Sequence, residues 1–274
     1  MPTSIIDDLI TQLVQNKYAY VSATETRALM PSNVDFDTLV SFWDETAPQR
    51  DETGQEVYPG KRSLCSYYNY QATKACCASP LGDDSSLTLE HIDPTTVHQV
   101  SNYRVHKAWP THADTHPALV AVRTLVFDVL RGVLLQGLAD TDSHYPPVEE
   151  FQAMQTAYRV IQQPQLVHGH PGPEGVHQDD ATLTVIALVH RENVQGGVNR
   201  IWTLAQPNGK PTEIASSDRL LAQVLLQEHM DTLWVLDRHV KHEVTDIHPT
   251  DPNQIAIRDV LTLEVRPKKE AGRR

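Results

Sequence analysis

A change of hydrophobic period near residue 156 constrains the fold more than any other feature of this sequence. From there the chain reads as short runs that are β-branched or alternate: Tyr158-Arg-Val-Ile-Gln-Gln163, Ala181 to His190, Arg200-Ile-Trp-Thr-Leu204 and Thr232-Leu-Trp-Val-Leu236. Ile255 to Val265 alternates over its full length. A period of two marks a strand with one face on a core. A single helix, Ser217 to Glu228, is predicted to interrupt these strands.

Upstream the period lengthens. Residues 4–16 set Ile5, Ile6, Leu9, Ile10, Leu13 and Val14 on one helical face behind Ser4, a suitable cap. A second helix is expected over 35–44 and a short one over 148–157. The strongest covers 117–138, with Asp114 or Thr115 as its cap and Pro117 in the first turn. Tyr18–Val21 and Ser63–Tyr70 read as strands, while 50–61, 79–99 and 141–150 read as polar loops. No repeat or linker separates two domains. The expectation is one domain over 1–274, with residues 1–155 as largely helical support and lid segments and 156–266 as a β-barrel core. The fold class is mainly β with flanking helices, set against an antiparallel barrel or sandwich.

Charge then excludes several functions. Asp and Glu number 35 against 23 Lys and Arg, and a net charge of −12 repels a phosphate backbone. The one basic cluster, Arg266-Pro-Lys268-Lys269 with Arg273 and Arg274, reads as a solvated tail. The acidic opening residues and the lack of a long apolar run give no signal peptide or membrane span, so a cytoplasmic location is expected. Cys65, Cys76 and Cys77 are too few and wrongly spaced for a disulfide framework or a cysteine zinc site. Histidine is abundant, at 14 residues.

Some of those histidines fall in His-x-Asp pairs, which offer a metal two ligands from one extended segment because residues i and i+2 share a side. The pattern occurs as His91-Ile-Asp93, His112-Ala-Asp114 and His177-Gln-Asp179. The third lies between a Gly/Pro-rich turn and a clear strand. Downstream, Arg238-His-Val-Lys-His-Glu-Val-Thr-Asp-Ile-His-Pro249 holds His239, His242 and His248 as candidates for a third ligand. Two histidines and a carboxylate leave three positions open on octahedral iron, the facial triad of non-haem oxygenases. An arginine further along the barrel would grip the far carboxylate of a dicarboxylate co-substrate.

Five segments carry a family resemblance: Tyr158-Arg-Val-Ile, Pro173-Glu-Gly-Val-His-Gln-Asp179, His190-Arg-Glu-Asn-Val-Gln-Gly-Gly197, Lys241-His-Glu-Val-Thr245 and Ile257-Arg-Asp-Val-Leu261. In this order they resemble the Fe(II)/2-oxoglutarate dioxygenases that include bacterial isoleucine dioxygenases. The resemblance implies a double-stranded β-helix core of jelly-roll or cupin-like type. It also implies iron held by His177, Asp179 and His242, with Arg258 on 2-oxoglutarate and O2 as the oxidant. The implied reaction oxidises a C–H bond of a small free aliphatic L-amino acid, with release of succinate and CO2. Retention of Asp179 points to hydroxylation over halogenation, with ring formation or desaturation as variants on the same substrate or on a larger metabolite. A free amino acid presents two charges, for which Arg159 and Glu174 are the candidate partners. Asp180 replaces the family's usual Gly, and Val260 stands where related enzymes often have Ser or Thr. Rival classes are a zinc hydrolase on the same ligands and a non-catalytic binding module.

Overall fold

The long alternating run at the C-terminal end is the central strand of the protein. The computed structural model describes residues 4–51, 53–71, 79–80, 87–91, 103–138, 150–164, 171–172, 174–179, 181–210 and 217–267. The chain opens with α1 (Ile5–Asn16), β1 (Tyr18–Val21), α2 (Ala23–Ala28), α3 (Val40–Trp43) and β2 (Ala47–Pro48). It continues through β3 (Lys61–Gln71), β4 (Ser79–Pro80), β5 (Leu87–His91), β6 (Tyr103–Ala108) and α4 (Pro117–Val133). Next come β7 (Glu150–Gln162), β8 (Leu183–Glu192), β9 (Val194–Gly196), β10 (Asn199–Trp202) and β11 (Leu220–Val224). The last elements are β12 (Thr232–Val235), β13 (Lys241–Val244), β14 (Ile247–Pro249) and β15 (Ala256–Pro267).

Ten strands form one sheet in the order β1-β12-β8-β15-β7-β3-β6-β5, with β2 and β4 also paired to β3. Its pairings are antiparallel except β3 with β6. A second sheet runs β11-β10-β13, and β9 pairs with β14. One face of the large sheet buries Leu261, Leu263, Val265, Ala157 and Val185 against α1 and α4. Its other face meets the small sheet through Leu188, Leu233, Val235, Val260 and Ile201. Two layers of apolar contact thus fix the small sheet and the helices on opposite faces of the large one.

Local chemistry explains the helices that were anticipated. The Ser4 hydroxyl accepts the Asp7 N–H, and Asp7 and Asp8 lie in the first turn of α1, favourable to the helix dipole. Its Leu9, Ile10 and Leu13 are buried. A Cβ at Gly132 of α4 would fall 2.2 Å from Ile10 Cδ1, so glycine permits the close approach of these helices. Pro117 begins α4 as anticipated, but His116 occupies the cap position without a side-chain bond. Asp114 instead accepts from the Tyr68 hydroxyl at 2.8 Å.

Three expected helices are corrected. Residues 150–162 form β7, hydrogen-bonded along its length to β3 on one side and β15 on the other. In place of a helix over 217–228, a single 3-10 turn at Ser217–Arg219 leads into β11. Residues 35–44 supply only a 3-10 turn and the four-residue α3. The first half of the chain therefore contributes β1 to β6 and the start of β7 to the same large sheet as the second half. It is not a helical half. Among the described residues no helix is long and apolar enough to cross a membrane.

Candidate metal centre

The third His-x-Asp pair follows the loop into the small sheet. Val176 bridges to Gly209, and His177 bridges to His242 of β13. The His177 N–H donates to the His242 carbonyl at 3.0 Å, and the His242 N–H returns the bond at 2.9 Å. Residues paired directly across antiparallel strands project to the same side. The two imidazoles accordingly sit 4.4 Å apart, centre to centre.

Asp179 closes the group. Its Oδ2 is 3.8 Å from His177 Nε2 and 3.4 Å from His242 Nε2. All three ligand atoms lie within 4.8 Å of one another, the one such cluster among the described residues. Metal bonds of about 2.0–2.2 Å place cis ligand atoms roughly 3 Å apart, so a small contraction would seat an ion. The remaining ring nitrogens face away from the cluster. His177 Nδ1 is 2.8 Å from the Gly175 carbonyl, and His242 Nδ1 is 2.8 Å from Asp237 Oδ1. Such outer partners leave the Nε2 atoms to the metal and fix the ring planes.

Electrostatics agree with a cation site. Burial works to raise the Asp179 carboxyl, but His177 and His242 outweigh it and hold it well below the usual carboxylate range. Burial disfavours a charged His242, yet Asp237 and Asp179 hold its pKa well above the ordinary imidazole value. For buried Asp237 the balance goes the other way, with burial raising its carboxyl against the pull of His242. Two imidazoles and one carboxylate form the donor set that suits iron with open positions.

The other expected residues divide between the two faces of the large sheet. Arg258 lies on the inner face with Val260, is 2% exposed, and has no hydrogen-bond partner at Nε or Nη2. Burial, and then Arg191, push its guanidinium down to about 10. Arg159 is not brought to the centre. It pairs with Asp259 on the helix-facing side, where Nε and Nη2 grip the Asp259 carboxylate and Nη1 takes Asp44 at 2.9 Å. Glu174 is buried in the loop ahead of His177. His239 is in a turn, His248 is exposed on β14, and His190 pairs with Glu192 near the surface. His112 stacks on Phe42, whereas Asp93, His168, His170 and Asp180 lie outside the described residues.

Two features were not anticipated. Asp237, two residues past β12, had no motif to mark it. Arg266 is no solvated tail residue: it ends the inner row of β15, ion-paired to Glu264, and helps lower the Asp179 carboxyl. A charge placed two residues after a polar residue of a fully alternating strand was the available signal.

Two histidines and one carboxylate brought together in this way form the donor set that a non-haem iron oxygenase uses. The 2OG-Fe dioxygenase family model matches residues 130–264. By that match the chain is an Fe(II)- and 2-oxoglutarate-dependent dioxygenase, an oxidoreductase using O2. The bifunctional enzyme flvA of Aspergillus flavus is 28% identical over 106 residues, covering 38% of this chain and 13% of that protein. The chain thus matches a small part of that curated relative's length. TqaL, an Fe(II)/α-ketoglutarate-dependent dioxygenase, has a similar structure, with a TM-score of 0.68 at 18% identity over 97% of this chain and 88% of TqaL. IDO (isoleucine dioxygenase) from Bacillus thuringiensis gives a TM-score of 0.67 at 13% identity over 98% of both chains. At these identities the likeness is one of fold.

Proposed function

We propose that this enzyme hydroxylates an unactivated C–H bond of a small free aliphatic L-amino acid, within a double-stranded β-helix core. His177, Asp179 and His242 would hold Fe(II), and Arg258 would take the distal carboxylate of 2-oxoglutarate. The bound iron and co-substrate supply O2 activation, with succinate and CO2 as co-products. The protein's own task is binding, orientation and exclusion of water.

The observation that carries this reading is the inner row of β15. One end holds Arg258 with unfilled donors, and the other holds the opposite charges of Glu264 and Arg266, of which Arg266 acts electrostatically on Asp179. The first suits a carboxylate that arrives with the co-substrate. The second can exchange its internal ion pair for the two charges of a zwitterion, the carboxylate going to Arg266 and the ammonium to Glu264. Between them the row is apolar at Val260, which belongs to one buried cluster with Leu188, Leu233 and Val235. Arg159, held by Asp259 and Asp44, has no part in this arrangement. The whole-chain likeness to IDO supports the same substrate class.

The test is 2-oxoglutarate-dependent succinate release with Fe(II) under air, screened over leucine, isoleucine, valine and other free amino acids. A stimulated turnover yielding a product heavier by one oxygen is expected. Stimulation by a peptide or alkaloid but by no free amino acid would replace the substrate class. A product lighter by two hydrogens would replace hydroxylation by desaturation or ring closure.

A further inference from the structure

The ladder between β8 and β15 sets Arg191 directly opposite Arg258, so both side chains leave the same face of the sheet. Arg191 Nη2 donates to the carbonyls of Val194 at 3.1 Å and Gly196 at 2.8 Å. Its Nη1 is buried without a hydrogen-bond partner, as are Nε and Nη2 of Arg258. Neither arginine has an ion-pair partner among the described residues. Asp259, which acts on Arg258 electrostatically, projects to the other face and is gripped by Arg159.

A buried Arg258 guanidinium and, across the ladder from it, a half-buried Arg191, each with a buried open donor, are unfavourable on their own through desolvation and like-charge repulsion. An anion between them relieves both. A carboxylate has about four acceptor positions, enough for all three open nitrogens. The turn after β8 is shaped to allow this. Gly196 and Gly197 have φ of +77° and +66°, and a Cβ at Gly197 would come 3.1 Å from Arg258 Cδ and 3.2 Å from its Nε. Glycine there leaves the Arg258 side chain its place, and Arg191 ties down the same turn.

We propose that Arg191 is the second cation of the co-substrate pocket, forming with Arg258 a two-guanidinium cradle for the distal carboxylate of 2-oxoglutarate. Its Nη1 meets the anion while its Nη2 holds the Val194–Gly196 turn. This rests on the assignment of Arg258 to the co-substrate.

Calorimetric titration of the Fe(II)-loaded protein without oxygen tests both. The ligands are 2-oxoglutarate and 2-oxopentanoate, which keeps the 2-oxo acid and lacks the distal carboxylate. Arg258→Met and Arg191→Met should each weaken 2-oxoglutarate binding by roughly 10- to 100-fold, the range of a hydrogen bond to a charged group. Neither should alter binding of 2-oxopentanoate. Because both act on one carboxylate, the double variant should lose less than the product of the single losses. Unchanged 2-oxoglutarate affinity in Arg258→Met overturns the Arg258 assignment. A loss there with none in Arg191→Met, or equal losses for both ligands in Arg191→Met, overturns the cradle alone. Should Arg191→Met not fold, Arg191→Lys decides the matter. It keeps the charge but lacks the fork to hold turn and anion together, so a several-fold loss confined to 2-oxoglutarate is expected. Wild-type affinity in that variant refutes the proposal.

Discussion

On its helix-facing side β15 presents Leu261, Leu263 and Val265, all at most 1% exposed, to the side chains of α1 and α4. On the opposite side the same strand presents Arg258, Val260, Thr262, Glu264 and Arg266, with Arg258 and Thr262 nearly as buried. Alternation of apolar and polar residues ordinarily means one dry face and one wet one. Here both faces are covered, so the polar one must find partners inside the protein. The apolar face holds the fold together. The polar face carries the proposed site, and its unmet donors are a cost that a bound anion would remove. The one charged residue of the helix-facing set, Asp259, is matched by Arg159.

The sharpest way to separate the faces is to remove a ligand from the inner space. His177→Ala or Asp179→Ala should abolish turnover while leaving the unfolding midpoint of the metal-free protein nearly unchanged. Near-normal activity in either variant would dismiss the metal assignment. On the other face, Arg159→Ala strands a fully buried Asp259 carboxylate and should cost about 3–5 kcal/mol of stability. Denaturant unfolding measures it, and the KM for the amino-acid substrate should stay put; a raised KM would return Arg159 to the site. Leu263→Ala leaves a cavity under α1 and α4 and should cost about 2–5 kcal/mol, with kcat/KM of the folded fraction preserved. A variant of full stability but low activity would mean that the two faces are not separable in this way. The smallest effect belongs to Asp237→Asn, which removes the charge behind His242 Nδ1. Metal affinity should fall roughly 10- to 100-fold with the fold intact, as measured by competition with a chelator. Unaltered affinity would show that Asp237 does not support the ligand.

Much of this was legible in the sequence. Strands β8, β12 and β15 follow from alternation and β-branched runs, and α1 from its period and Ser4. The cluster of His177, Asp179 and His242 was named by resemblance, while His239 and His248 left spacing alone ambiguous. The illegible parts have physical causes. The 148–157 stretch is rich in Glu, Gln, Ala and Met, good helix formers, but pairing on both edges by β3 and β15 overrides that weak preference. The Leu-Leu-Ala-Gln-Val of β11 is likewise made of good helix formers, and its pairing to β10 overrides them. Asp237 and Arg191 matter through what lies across a sheet or behind a ring, which a linear pattern does not encode. The side on which Arg159 lies could not be read, because one residue of register exchanges the two faces; it stands opposite Asp259.

The backbone bridge between His177 and His242 has a consequence for folding. Closing a loop of that length costs roughly 4 kcal/mol of chain entropy before any contact repays it. His177 and Asp179 by themselves form only an open chelate. The second imidazole arrives when β13 docks, and Arg258 becomes part of the structure only when β15 threads between β7 and β8. The centre is therefore built from contacts far apart in sequence, and iron held by all three residues would report that β13 has docked on the His177 segment.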